Sequence, residues 1–144
     1  LVGGSVRDLC RQQDAKDIDL EIYALEADAL LKLAQTFGHT EQVGKHFGVI
    51  KLWLKNLEID LALPRTETKV ATGHRGFDIT SNPQLSTKIA SSRRDFTINA
   101  MMFDPLNAEL LDFHHGQDDL HNGILRHVSA AFSEDPLRVL RAMQ

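Results

Sequence analysis

The chain has 144 residues, of which 42% are apolar and 25% charged, with a formal net charge of −4; this is the size and balance of one ordinary globular domain. The mild acidity argues against a polyanion-binding surface spread over the whole molecule, so any phosphate contact must be local. The single cysteine, Cys10, excludes an intrachain disulfide framework and fits a reducing compartment, and no apolar run is long enough to span a membrane.

No secretory signal pattern is visible. Residue 1 is Leu, and Pro136 to Gln144 reads as a helix that simply stops, so a fragment of a longer chain is expected.

In chain order, Leu1-Val2 reads as the end of a strand, Gly3-Gly4-Ser5 as a turn and Val6 to Cys10 as a short amphipathic helix. Strand, glycine turn and helix start offer backbone N–H groups to an anion. Gly4 lets the backbone approach a ligand closely. Ser5 can cap the helix or hold a phosphate oxygen, and Arg7 lies one turn in with a planar fork. Taken alone, the triplet is an ordinary turn.

Lys16-Asp17-Ile18-Asp19-Leu20-Glu21-Ile22 follows after a short connection. Side chains alternate in a strand, so Asp17 and Asp19 share one face while Ile18 and Leu20 share the other. Two carboxylates that close raise each other's pKa unless a cation sits between them, and an all-oxygen site suits Mg²⁺. An edge strand with an acidic solvent face shows the same pattern.

Leu25, Ala29, Leu30, Leu33, Ala34 and Phe37 fall on one helical face, with Gly38 ending the helix. Phe47 to Leu54 and Leu57 to Leu63 alternate in polarity around Lys55-Asn56 and predict a hairpin. Its second strand turns Asp60 away from the apolar face. Asp60 is thus a third carboxylate that a sheet neighbour can bring to the Asp17/Asp19 pair, although an exposed strand acid fits equally. Pro64 to Pro83 is polar and without a sustained period, a long loop of the kind that carries function.

Leu85 to Ser92 is weakly helical. Arg93, Arg94 and Asp95 gather at the predicted start of a helix that turns Phe96, Ala100 and Met101 inward. Cations there oppose the macrodipole, so an arriving anion would relieve a conflict, which argues for phosphate or sugar binding. Met102 to Asp104 and Leu110 to Asp112 predict a second hairpin. His114, His115 and His121 with Asp118 and Asp119 lack a nearby thiolate and match no common zinc spacing, so they read as a polar connector. In the closing helix Ser133 caps, and Glu134, Asp135 and Pro136 occupy the first turn. Asp135, Arg138 and Arg141 fall on neighbouring positions. They form either a solvated ion pair or an acceptor and a forked donor able to read a nucleobase edge.

Four stretches in this order resemble a known family. Leu1 to Asp8 with Asp17 to Leu20 is similar to the first motif of class II tRNA nucleotidyltransferases, the CCA-adding family that includes bacterial poly(A) polymerases. Arg93 to Ala100 resembles the second motif, tied to ribose recognition. Asp112, Gly116, Asp119-Leu120 and Leu125-Arg126 resemble the third, a hinge. Glu134 to Arg138 resembles the fourth, which templates CTP and ATP.

The resemblance implies an α+β fold: a polymerase-β-like nucleotidyltransferase head over 1–124, with a mixed or antiparallel sheet flanked by helices, and the start of a helical neck over 125–144. It implies a two-ion Mg²⁺ site on Asp17 and Asp19, with Asp60 as a further catalytic carboxylate. Gly4 and Arg7 would contact the triphosphate, Arg94 the nucleotide and Asp95 the sugar. Asp135 and Arg138 would pair with the base, and Arg141 would lie one turn on. The stretch 64–83 would be the flexible loop used in switching to A addition. The implied activity is transfer of CMP and AMP from CTP and ATP to the 3′ end of tRNA, in the cytoplasm and without a membrane. Poly(A) addition to RNA and CC-only or A-only addition carry the same motifs, and a non-enzymatic nucleotide- or RNA-binding module is the reading outside catalysis. One departure stands out: Gln144 replaces an arginine frequent in the family.

Overall fold

The computed structural model describes residues 1–15, 17–43, 48–69 and 77–143. After the Gly3 turn come α1 (Gly4–Cys10), β1 (Ile18–Glu21), α2 (Ala27–Gln35), β2 (His39–Val43), β3 (Val49–Leu54) and β4 (Leu57–Ala62). β5 (Arg65–Lys69) and β6 (Phe77–Ser81) follow, then α3 (Thr87–Ser92), α4 (Thr97–Ala100), β7 (Met102–Asp104), β8 (Glu109–Leu111) and α5 (Gly116–His121). A 3₁₀ turn (Ala130–Glu134) leads into α6 (Leu137–Arg141).

The principal sheet has the order β1-β4-β3-β2. β1 runs parallel to β4 and the other pairs are antiparallel, which makes it a mixed sheet. The alternation in the sequence sorts its two faces. Leu20, Ile22, Ile50, Leu52, Ile59, Leu61 and Leu63 pack with Leu30, Leu31 and Ala34 of α2 into one apolar cluster. Complete burial of each such aliphatic side chain contributes about 1.5–3 kcal/mol. The opposite face carries Asp19, Asp60, Lys51 and Glu41 in one cross-sheet row. The core therefore fixes the register, and a one-residue slip would turn the acids inward.

Several expectations need correction. The apolar stripe of α2 is narrower than predicted: Leu33 is 47% exposed and Phe37 63%, because Leu30 and Ala34, flanked by Leu31, are the residues of α2 that pack on the sheet. The helix stops at Gln35, and Gly38 serves a different purpose. A Cβ there would come 2.2 Å from the Trp53 carbonyl oxygen, so glycine permits the close approach of β2 to β3. β2 itself is a strand the sequence does not announce; His39-Thr40-Glu41-Gln42-Val43 is polar and lies at the sheet edge, largely exposed. Pro64 to Pro83 is not a plain loop, since β5 and β6 pair antiparallel within it. The tip at 70–76 lies outside the described residues, as do Lys16, Phe47 and Gln144.

Arg93 and Arg94 do not open a helix. They follow the C-terminal end of α3, with Arg93 as its C-cap residue, where cations complement the macrodipole. Ser5 caps nothing: its hydroxyl donates to the Val2 carbonyl at 2.7 Å. Ser133 is equally remote from the cap of α6. Asp135 Oδ1 takes that role, accepting from the Leu137 N–H at 3.0 Å.

The second half of the chain is tied to the first by backbone pairing. Val2 donates to the Asp19 carbonyl at 3.0 Å and bridges Met102. Phe96 bridges His127, and the amides of Thr97 and Val128 donate across the same junction to Arg126 and Asp95 carbonyls. Asp112 accepts from the N–H groups of His114, Gly116 and Gln117, which caps α5. Asp119 joins α5 to α4 through Thr97 Oγ1 at 2.7 Å and receives the fork of Arg126 at 2.9–3.2 Å. No helix among the described residues is long and apolar enough to cross a membrane.

Candidate active site

The parallel register of β1 and β4 sets Asp19 beside Asp60, and Asp17 lies at the bend just before β1. Asp17, Ile18, Lys51, Glu58 and Asp60 line a small depression on the polar face of the sheet. Burial pushes the Asp19 carboxyl above the usual carboxylate range, Asp60 and Asp17 push it further, and Arg94 and Lys51 oppose them. Like charges are thus held together by the fold rather than by mutual attraction.

The glycine turn closes on this carboxylate. Gly3 has φ +73°, and a Cβ built there would lie 3.3 Å from Arg94 Nη1 and 3.4 Å from Asp19 Oδ2. A side chain at this position would meet both groups as well as the strain of a positive φ with extended ψ. Gly4, the first residue of α1, has its open side toward the Arg7 guanidinium, at 3.4 Å from Nη2.

Two chains of polar contacts lead from the turn to the end of the described chain. In the first, Arg94 Nη2 lies 3.7 Å from Glu21 Oε2, and Arg93 Nη2 lies 3.0 Å from Glu21 Oε1. Arg93 also reaches Glu67, which Arg65 contacts from the same strand, and Arg138 lies 3.8 Å from Glu67 Oε2. Arg138 donates to the Arg93 carbonyl at 3.0 Å. Tyr23 donates to Glu21, and burial beside that carboxylate raises the phenol pKa. Burial and the adjoining Arg93 charge lower the Arg94 pKa, while Glu21 and Asp19 counter them. In the second chain, Arg7 donates to Asn99 Oδ1 at 2.8 Å and pairs with Asp8 at 2.9 Å. Asn99 Nδ2 donates to Asp95 Oδ1 at 3.2 Å, and Arg141 Nε lies 2.8 Å from Asp95 Oδ2, at charge-contact distance but off the hydrogen-bond direction.

Asp17, Asp19, Asp60, Arg94 and the Gly3-Gly4 turn therefore cluster. Arg138 is buried and turned onto Arg93 and Glu67, and its expected partner Asp135 points to the α6 backbone instead. The carboxylate of Asp95 is engaged by the Phe96 N–H, Asn99 and Arg141. Glu21, Glu67 and Asn99 have no role in the sequence reading. Period-two alternation was a signal for Glu21, which falls on the Asp19 face of β1. Nothing local marks Glu67 or Asn99, whose partners are distant in sequence.

Among the described residues, no three His, Cys, Asp or Glu side chains form a ready-made metal cage. The donor set nonetheless fits Mg²⁺, which is commonly held by one or two carboxylates together with substrate phosphates and water. Asp60 Oδ1 is shielded from solvent and accepts no aligned hydrogen bond, although Lys51 Nζ stands 3.2 Å away. The Asp19–Asp60 repulsion is the kind of conflict a divalent cation resolves.

Comparison with known proteins places the chain and its fold. The family model for the poly A polymerase head domain matches residues 1–126. The multifunctional CCA protein of Psychromonas ingrahamii is 44% identical over 141 residues, covering 98% of this chain and 32% of that protein. The Bacillus stearothermophilus CCA-adding enzyme in complex with CTP superposes with a TM-score of 0.77 at 28% identity, over 98% of this chain and 32% of its own. The Thermotoga maritima CCA-adding enzyme complexed with tRNA gives a TM-score of 0.72 at 32% identity, over 99% of this chain and 31% of its own. The chain spans about a third of the length of these relatives.

Proposed function

The chain belongs to the poly A polymerase head-domain family, and from that premise we propose that the full-length protein is a CCA-adding tRNA nucleotidyltransferase. It extends the 3′ end of tRNA with CMP and AMP from CTP and ATP, as a cytoplasmic enzyme. Residues 1–124 are the catalytic head and 125–144 begin the neck. The observation that carries the reading is the convergence of Asp19, Arg94 and the Gly3 turn, with Asp60 in register beside Asp19.

Asp17 and Asp19 would hold the metal, with Asp60 as the third carboxylate, and Mg²⁺ held there would supply a lowered pKa for the attacking 3′-hydroxyl and charge neutralisation for the leaving pyrophosphate. The remaining work is positioning and electrostatics by the chain itself. The Gly3-Gly4 turn brings backbone N–H groups to the triphosphate without a side chain in the way. Arg7 supports it, since a guanidinium has five N–H donors, more than Asp8 and Asn99 take up. Arg94, half-buried between Glu21 and Asp19, adds a fixed positive charge beside the nucleotide. Asp95 is the sugar-side group.

Asp135 and Arg138 choose the base, with Arg141 one turn on as a further nucleotide contact. In the structure described here Arg138 is turned inward, so base reading requires Arg138 to exchange the Arg93 carbonyl for a nucleobase edge. A site built to hydrogen-bond one edge rejects others because its buried polar groups are left unpaired.

The test is incubation of the full-length protein with tRNAs lacking CCA, CA or the final A, with CTP and ATP supplied separately and together. The reading expects two C additions with CTP alone and completion with ATP. Long A tails on RNA, favoured by the name of the matching family model, would assign a poly(A) polymerase. C-only or A-only products would assign a partial enzyme, and absence of any incorporation would leave a binding module. Arg138→Ala is expected to erode the CTP:ATP preference at least tenfold.

A further inference from the structure

The acidic row contains a cation of its own. Lys51 is the register partner of Asp60 on β3, as Asp19 is on β1, so Asp19, Asp60 and Lys51 stand side by side across three strands. Lys51 Nζ contacts Glu58 Oε1 and lies 3.2 Å from Asp60 Oδ1. Glu58 is itself fixed by the Trp53 indole N–H, which donates to Oε2 at 3.2 Å. The ammonium is therefore held from the sheet side and presented to the same depression that Asp17 and Asp60 line.

We propose that Lys51 is a resident counter-cation of the acidic row, a positioning residue that holds Asp60 and thereby sets how tightly the site takes a divalent cation. The inference rests on the metal reading of Asp17 and Asp19 given above. Four carboxylates, Asp17, Asp19, Asp60 and Glu58, face one ammonium. Lys51 lowers the repulsion among them, which keeps the row folded when no metal is present. By the same Coulomb term it competes with a divalent ion for Asp60. An ammonium is a compact point charge on a flexible stem, so it can withdraw toward Glu58 when a metal arrives with its nucleotide. The site is thereby kept weak for free metal and is completed by the phosphates of the incoming nucleotide, the pattern usual for Mg²⁺.

The experiment measures Mn²⁺ binding to the full-length protein without nucleotide, by water-proton relaxation. It compares wild type, Lys51→Met, Lys51→Arg, Asp60→Asn and the Asp60→Asn/Lys51→Met double variant. Thermal melts in chelator confirm that each variant is folded at the assay temperature, and Lys51→Gln replaces Lys51→Met if the latter is not. Loss of the Lys51 charge is expected to tighten Mn²⁺ binding by on the order of tenfold, Lys51→Arg to retain the wild-type constant, and the gain to vanish in the Asp60→Asn background. Binding no tighter than wild type in Lys51→Met or Lys51→Gln, or an equal gain without Asp60, overturns the proposal. If the wild type shows no Mn²⁺ binding that Asp17→Ala and Asp19→Ala remove, the metal reading itself fails and the role of Lys51 falls with it. If that binding is present, the Lys51 variants bear on Lys51 alone.

Discussion

Asp19 and Glu21 stand on the same face of one short strand, yet they have opposite surroundings. The Glu21 side chain is 1% exposed and receives Arg93 on one oxygen and Arg94 and Tyr23 on the other. Asp19 faces Asp60 and Asp17, with Arg94 and Lys51 as partial relief. Arg94 lies between the two centres and serves both. A carboxylate closed in by guanidinium groups is a structural node, whereas one pressed against its own kind is, on the function proposed above, the seat for a cation. Two residues of β1 thus separate a satisfied carboxylate from a frustrated one.

The two carboxylates can be perturbed separately. The largest expected effects on stability are at Glu21 and at Gly3. Glu21→Gln deprives the part-buried Arg93 and Arg94 of their shared buried carboxylate and is expected to cost about 1–3 kcal/mol, read as a lower urea midpoint. A change of less than about 1 kcal/mol would show that Glu67 and solvent suffice for these arginines. Gly3→Ala is expected to cost about 1–3 kcal/mol from the positive-φ, extended-ψ backbone alone. It should also depress nucleotide transfer, because the new methyl group meets Arg94 and Asp19. Transfer at the wild-type rate would show that the turn does not approach the nucleotide.

The smallest effect has the opposite sign. Asp19 has a raised pKa, first by burial and next by Asp60. The folded protein therefore keeps this proton to higher pH than the unfolded chain, and stability is lost as pH rises through the folded pKa. With chelator present, Asp19→Asn should raise the urea midpoint slightly at neutral pH, an advantage that disappears below the carboxylate range. A lowered midpoint at neutral pH would mean that Asp19 is a node like Glu21.

The sequence made the outline of this head legible where local patterns suffice. Alternation in Val49–Leu54 and Leu57–Ala62 marks the hairpin, and the acids of β1 declare themselves by breaking an apolar run. Patterns fail where tertiary context decides. β2 is polar because it is an edge strand and largely exposed. Arg93 and Arg94 fall after one helix and before another, and only the backbone shows that they belong to the end of the first. Leu33 and Phe37 share the periodicity of Leu30 and Ala34 but find no sheet beneath them.

The candidate site was legible as residue types and much less as partnerships. Asp17, Asp19, Asp60 and Arg94 cluster as the alternation and motif order lead one to expect. The closures through Glu21, Glu67 and Asn99 join residues up to 92 positions apart, a distance at which spacing carries no information. The inward turn of Arg138 could not be read from Glu134 to Arg138 alone, because its anchor is the Arg93 carbonyl, a group every residue possesses.

The most direct test of the account is nucleotide incorporation by full-length Asp19→Asn on tRNA lacking its CCA end, with CTP, ATP and Mg²⁺. A preorganised metal carboxylate predicts a loss on the order of 10³-fold in a protein that melts no earlier than wild type in chelator. Incorporation near the wild-type rate by that folded variant would contradict the assignment of Asp19 to the metal and, with it, the reading of this face of the sheet as the catalytic centre.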